Sequence, residues 1–208
     1  MKLYFKSGTC ALAPHIVLSE LNMVYELEAV DLTTKTTVNG DYKKINPKGL
    51  VPAMRLDNGE ILTEGAIISQ YLADQKPESG LMPKFGTFDR YRCAEWMNFI
   101  TSDIHKTFGQ LFGAPTLVKN PEAMAEFKTN VKTILDSKIS IVSERLGTND
   151  YLMGKQFTIA DAYLFTVLSW SKHVDVSLAK WGNIETYMGR VGARPAVMKA
   201  MKEEGLLK

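Results

Sequence analysis

The chain has 208 residues, 45% of them hydrophobic and 23% charged, with a formal net charge of +2; this is the make-up of an ordinary globular protein with room for one or two cored domains. The charge is too small, and its Lys and Arg too scattered, for a nucleic-acid surface, and no apolar run nears the ~20 residues of a membrane span. Only Cys10 and Cys93 occur as cysteines; neither has metal-ligand spacing around it, so zinc and a disulfide framework are not expected and a reducing, cytoplasmic compartment is.

Lys2 to Lys6 (KLYFK) alternates as a first strand with Leu3 and Phe5 on one face and Tyr4 on the other. The leading MKLYFKSG has no apolar core of the kind a signal peptide carries. Ala11 to Leu21 (ALAPHIVLSEL) has helical periodicity, and Pro14, lacking an N–H, belongs in its first turn. Cys10 therefore falls at the helix N-terminus. There the dipole and free N–H donors would favour a thiolate and lower its pKa; position alone leaves an inert, buried thiol equally open. No second cysteine lies three positions on, so a self-contained dithiol cycle is excluded and an external thiol would have to resolve any disulfide.

Tyr25 to Asp31 alternates as a second strand, and the polar stretch Thr33 to Asn46 reads as loop plus a short helix. Asn46 to Ser69 (NPKGLVPAMRLDNGEILTEGAIIS) forms one unit: an apolar run Leu50–Leu56, an Asp57-Asn58-Gly59 turn, a second run Glu60–Thr63, and a helix from about Gly65 to Asp74. Pro52 cannot donate to a ladder, which suggests a strand entry, an edge or a cis bond; a cis bond would present the Val51 backbone to an extended peptide. The free amides at the Glu64-Gly65 helix start suit a carboxylate. The resulting β-α-β-α-β-β-α order predicts an α/β, thioredoxin-like domain with a mixed four-stranded sheet and helices on both faces.

Gln75 to Gly86, with two prolines and two glycines, is the best linker, which divides the chain into residues 1–80 and 87–208. Beyond it only helices are expected. Asp89–Phe112 carries Cys93, Met97, Ile100 and Ile104 on one stripe, and Pro121–Arg145 ends near Gly147. Thr158-Ile-Ala-Asp161 is a capping box that opens an apolar helix to about Trp170, a folding element rather than a catalytic one.

NPKGLVPAMRLDNGEILTEGAII, Cys10 and FTIADAYLF together closely resemble the cytosolic glutathione S-transferases of the bacterial beta class, over essentially the whole chain. The resemblance implies that Cys10 contacts the sulfur of glutathione. It also implies that Glu64 and Gly65 hold the γ-glutamyl end and that Val51, before Pro52, clamps the cysteinyl unit. Lys35 would lie near the glycyl carboxylate, and His105 would border the thiol. Asn98, Ser102 and Asp103 sit on the helix of His105 at about one-turn spacing; Asn98 and Asp103 match positions near the γ-glutamyl end that some members contribute from the neighbouring subunit. Phe108, Phe112, Trp170 and His173 resemble a pocket for a hydrophobic second substrate, although such aromatics at helical spacing equally suit a core. Gly65 departs from the many members that carry Ser there: it keeps the N–H and lacks a hydroxyl donor.

The expected activity is conjugation of glutathione, used as substrate with no further cofactor or metal, to a hydrophobic electrophile or a disulfide, by a homodimer. A glutathione-dependent thiol–disulfide oxidoreductase working through Cys10, or a non-catalytic binding module on the same fold, are the alternatives.

Overall fold

The computed structural model describes residues 1–207. Its sheet has the order β2-β1-β5-β6, built from β1 (Lys2–Phe5), β2 (Glu26–Ala29), β5 (Ala53–Arg55) and β6 (Ile61–Thr63). β1 runs parallel to β2 and antiparallel to β5, with Leu3 opposite Leu27 and Met54. The sheet is mixed, as the strand pattern requires. Alternation along β1 sends Leu3 and Phe5 into the main core and Tyr4, with Ala53, into a smaller cluster around Val30, Tyr42 and Val51.

α1 (Leu12–Glu20) and α2 (Gly65–Gln75) pack together on the main-core side. On the other face the short helix expected within residues 33–46 is a single 3-10 turn, and a two-stranded hairpin takes the place of part of the expected loop. Asp31 turns its carboxylate onto the amides of Thr33 and Thr34, which draws the chain into a turn. The β-branched pair Thr36–Thr37 (β3) then pairs across Val38-Asn39 with Gly40–Asp41 (β4). A single 3-10 turn, Tyr42–Lys44, capped by Asp41, follows and covers the small cluster.

After Thr63 the described residues form helices, with one isolated bridge between Tyr151 and Gly154. α3 (Phe88–Phe99) passes through a π-helical turn (Ile100–His105) into α4 (Lys106–Leu117), so the expected single long helix is wider at its middle and runs five residues further. Cys93, Met97, Ile100 and Ile104 are all buried on one stripe. α5 (Pro121–Leu146) ends at Gly147, whose positive φ suits glycine. α6 (Ile159–Leu168) is buried on every side, and α7 (Gly182–Gly192) and α8 (Pro195–Glu203) close the helical half. No described helix is long and apolar enough to cross a membrane.

The two halves share one core. α1 lies against α6 and α8 as well as α2, so the helix that carries the cysteine loop is fixed from the far half of the chain. Asp161 anchors α6: its carboxylate accepts from the amides of Leu152 and Thr158, at 2.8 Å each, and from the hydroxyls of Thr158 and Tyr187. Burial pushes its pKa up to about 6 against these donors. The last helix reaches back too. Buried His15 lies between Glu203 and Glu204, and Glu204 also accepts from the Gly8 amide at 2.9 Å.

Candidate functional site

A cleft of about 660 Å³ opens between the sheet half and the middle of the long helix. Its floor comes from the loop before α1, its first wall from the β5 entry and the start of α2, its second from α3 and the π-helical turn.

Cys10 stands just before α1, where Leu12 and Ala13 amides bond back to Thr9 and Cys10 carbonyls. The loop is held at both ends: the Ser7 hydroxyl donates to the Glu204 carbonyl and the Trp170 indole to the Gly8 carbonyl. The Cys10 thiol is half-buried and donates to the Val51 carbonyl, with 3.4 Å between sulfur and oxygen. The helix start does not lower its pKa in the free protein. Burial pushes the thiol up to about 11, more than its backbone hydrogen bond, the Lys106 charge and the Tyr163 hydroxyl recover, and the Glu64 charge adds to the rise. Dipole and burial act oppositely, and here burial is larger.

Val51 is joined to Pro52 by a cis peptide bond, and both line the cleft beside Cys10. Glu64 sits at φ 70, a left-handed conformation rare outside glycine, and Lys48 pairs with its carboxylate. α2 begins at the next residue. The amides of Gly65, Ala66 and Ile67, short of partners within the helix, border the cleft. A Cβ on Gly65 would stand 3.1 Å from the Tyr163 ring and 3.4 Å from Pro52. Glycine at this position is thus a packing requirement, since the tyrosine occupies the space a serine would need.

From the other wall Asn98, Ser102 and His105 reach the cleft, with Lys106 beside them. The π-helical turn ends at His105 and sets where these side chains emerge, a common role for such turns at functional sites. His105 Nδ1 lies 3.1 Å from the Tyr163 hydroxyl, and Trp170 stands edge-on to its ring at 4.9 Å. Burial, helped by Lys106, lowers the His105 pKa to about 4, so the imidazole is neutral at pH 7.

Six residues singled out from the sequence stand off this cleft. Lys35, also at positive φ, donates its ammonium to the Gly49 carbonyl at 3.0 Å. Asp103 turns to Lys138 at 3.1 Å, and the Ser102 hydroxyl, followed by that ion pair, holds its carboxyl below the usual range. Phe108 and Trp170 belong to the core behind His105; Phe112 packs edge-on against Trp170 and is exposed on its outer side; His173 is exposed at the end of the turn Ser169–His173. Conversely, Tyr163, Lys48 and Lys106 line the cleft and were not picked out. Tyr163 is hidden in the sequence by its place inside an apolar helix. Lys48 and Lys106 each adjoin a motif residue, the one signal that could have found them. No cluster of three or more His, Cys, Asp or Glu able to hold a metal occurs among the described residues.

Residues 8–75 match the family model for the glutathione S-transferase N-terminal domain, and residues 107–195 the model for its C-terminal domain. The chain is 43% identical over 207 residues to glutathione S-transferase GstA of Escherichia coli O157:H7, covering 99% of this chain and 100% of that one. Among solved structures, a glutathione transferase from Methylococcus capsulatus superposes with a TM-score of 0.92 at 50% identity over 99% of both chains. The bacterial beta class enzyme of Sphingomonas chungbukensis superposes at 0.91 and 38% identity over 100% of both. A sphingomonad glutathione S-transferase complexed with glutathione superposes at 0.90 and 38%, again over 100% of each chain.

Proposed function

Because the chain belongs to the glutathione S-transferase family, we propose that its cleft binds reduced glutathione and delivers the sulfur to hydrophobic electrophiles, as a member of the beta class. The observation that carries this reading is the convergence on one cleft of a cysteine at the head of α1 and the open amides at the head of α2.

The γ-glutamyl carboxylate settles on the amides of Gly65 to Ile67, and the Glu64 carboxylate takes the adjacent ammonium in place of Lys48. The Val51 backbone pairs with the cysteinyl unit as an added strand, beside Pro52. Lys35 and Lys48, which flank Gly49, serve the glycyl carboxylate. Asn98, Ser102 and Asp103 stand on the facing helix, where a partner subunit's glutathione is within the reach of the first and last. The sulfur then lies between Cys10 and His105. His105, neutral at pH 7, offers a ring nitrogen to the thiol proton as the sulfur ionises, and the electron pair left on sulfur attacks the electrophile, adding to its activated double bond or displacing its leaving group. Each unit by which the site lowers the thiol pKa is worth ~1.4 kcal/mol of thiolate stabilisation. Residues 1–80 thus supply the glutathione site and 87–208 the second-substrate side, where Phe112, exposed against Trp170, makes an apolar edge to the approach. Phe108, Trp170 and His173 act from behind or beside that edge.

A second reading is favoured by Cys10 being a free thiol on the cleft wall, with Cys93 buried elsewhere. The Cys10 thiolate attacks the glutathione sulfur of a mixed disulfide between glutathione and another thiol, forms a disulfide with glutathione and releases the other thiolate; a free glutathione thiolate then attacks that disulfide, restores Cys10 and leaves as glutathione disulfide. Exposed Ile67, Phe88 and Tyr91 support a homodimer through α2 and α3, and two free cysteines suit a cytoplasmic site. Sedimentation tests the dimer; a monomer at micromolar concentration contradicts it.

Wild type and Cys10→Ala, assayed together on a panel of electrophiles and mixed disulfides, test the function. Conjugation by wild type supports the main reading, and loss of disulfide exchange alone in Cys10→Ala assigns the second activity to that thiol. No conjugation, no exchange and no retention on immobilised glutathione would leave a binding scaffold.

A further inference from the structure

Tyr163 has no role in the chemistry described so far, yet it lines the cleft beside Cys10 and His105. α6 is apolar and buried throughout, and Tyr163 itself is 3% exposed. A hydroxyl on such a helix must find partners within the protein. Two stand within its reach. His105 Nδ1 lies 3.1 Å away, and the Cys10 sulfur lines the same cleft, where the hydroxyl acts to lower the pKa of the thiol.

A phenol has one proton, so it donates to one of these neighbours and accepts from the other. Sulfur settles the direction once it is charged. As a thiol, Cys10 gives its proton to the Val51 carbonyl. As a thiolate it has no proton to give, and the same carbonyl oxygen faces a negative charge. The ionised sulfur then needs donors, and of the groups facing it Glu64 is repulsive, Lys106 acts only by its charge, and Tyr163 holds a hydroxyl proton. A neutral His105 carrying its hydrogen on Nδ1 donates to the Tyr163 oxygen and turns that proton toward sulfur, which leaves Nε2 with a free lone pair.

We propose that Tyr163 is a catalytic residue: its hydroxyl, oriented by His105 Nδ1–H, donates a hydrogen bond to the Cys10 sulfur whenever that sulfur is a thiolate. Gly65 is the third part of the device. The Tyr163 ring lies where a side chain at 65 would extend, with the hydroxyl 3.6 Å from the Cβ position. Glycine therefore admits the phenol to the cleft, and the hydroxyl missing at 65 is replaced by one that points at sulfur.

The test uses the ligand-free protein, so that its failure is distinct from a failure to bind glutathione. Alkylation of Cys10 by iodoacetamide, followed by peptide mass mapping, reports the thiolate fraction at a fixed pH of 8. Tyr163→Phe keeps the ring and removes the donor; the rate should fall about tenfold, the worth of one ordinary charge-assisted hydrogen bond. Site-specific 3-fluorotyrosine at 163 is a more acidic phenol of nearly the same shape, and it should raise the rate above wild type. A merely structural role for the ring would not give opposite responses to these two changes. An unchanged rate in Tyr163→Phe with a wild-type melting profile overturns the proposal. Should that variant melt early, an unchanged or lower rate in the fluorotyrosine protein overturns it by itself.

Discussion

Gly65→Ala separates two effects of opposite sign at one atom. Gly65 is the first residue of α2 and its φ is not positive, so alanine fits the backbone and gains the helix preference of ~0.5–1 kcal/mol over glycine. Against this, the new Cβ stands 3.1 Å from Tyr163 Cε2 and 3.4 Å from Pro52 Cγ. Carbon atoms in contact rest at ~3.5–4.0 Å, so the ring must retreat by about 0.4 Å or more. It cannot retreat freely, because Tyr163 is buried on α6 and tied to His105. Overpacking of this kind costs ~1–3 kcal/mol. Crowding is therefore the larger effect, and the net loss is about 0–2.5 kcal/mol. For a chain of this size that is a fall in Tm of up to about 10 °C. The displaced ring and helix start should also weaken glutathione binding by about 3–10-fold, roughly 1 kcal/mol. Differential scanning calorimetry and isothermal titration on wild type and variant give both numbers. A variant more stable than wild type with unchanged affinity would refute the argument that Tyr163 fills the space beside Gly65.

Glu64→Gly should separate stability from function: it relieves a left-handed residue, raising stability by ~1 kcal/mol, and removes the carboxylate for the ligand's ammonium, weakening glutathione binding by about 10–100-fold in titration calorimetry. The Lys48–Glu64 pair lost with it is too exposed to matter much to the fold. Asp161→Asn places an amide against the Leu152 or Thr158 N–H and should destabilise by ~3–5 kcal/mol, visible as a drop in Tm of about 6–20 °C. His105 has a folded pKa of about 4, below the ordinary value, so the unfolded chain binds more protons between that value and about 6.5. Its contribution is complete above pH 6.5 and is lost as pH falls toward 4. Melting curves across pH 4–7 should therefore fall more steeply for wild type than for His105→Asn.

Most of the fold was legible because period and punctuation agree. Leu3, Tyr4 and Phe5 alternate onto two cores, Pro14 fixes the start of α1, and Thr158 and Asp161 mark α6. After Asp31 the short helix is present as Tyr42–Lys44, but the hairpin before it is not legible, because a polar stretch suits a loop and a hairpin alike and the decision rests on one carboxylate turned onto two amides. The π-helical turn leaves no mark in hydrophobic spacing, since the stripe through Cys93, Met97, Ile100 and Ile104 continues through it. At the site, residues on the Asn46–Ser69 unit came together because they are neighbours in sequence. Tyr163 could not be found that way: an aromatic on an apolar helix reads as core, and only tertiary contact with His105 and Gly65 distinguishes it. The same ambiguity ran the other way for Phe108 and Trp170, whose aromatic character suits a substrate pocket and whose burial places them behind it. The Cys10 thiol shows how a correct local rule yields to a larger effect, since the desolvation that opposes the helix dipole is set by tertiary burial and not by the residues next to it in sequence.

Every role given to the cleft residues depends on glutathione lying along the cleft in one orientation. A crystal structure of the protein grown with reduced glutathione tests this most directly. It should place the γ-glutamyl carboxylate on the amides that open α2, the cysteinyl unit against Val51, and the thiol within van der Waals reach of Cys10. Glutathione bound in the reverse sense, or with its sulfur turned away from Cys10 and His105, would contradict it.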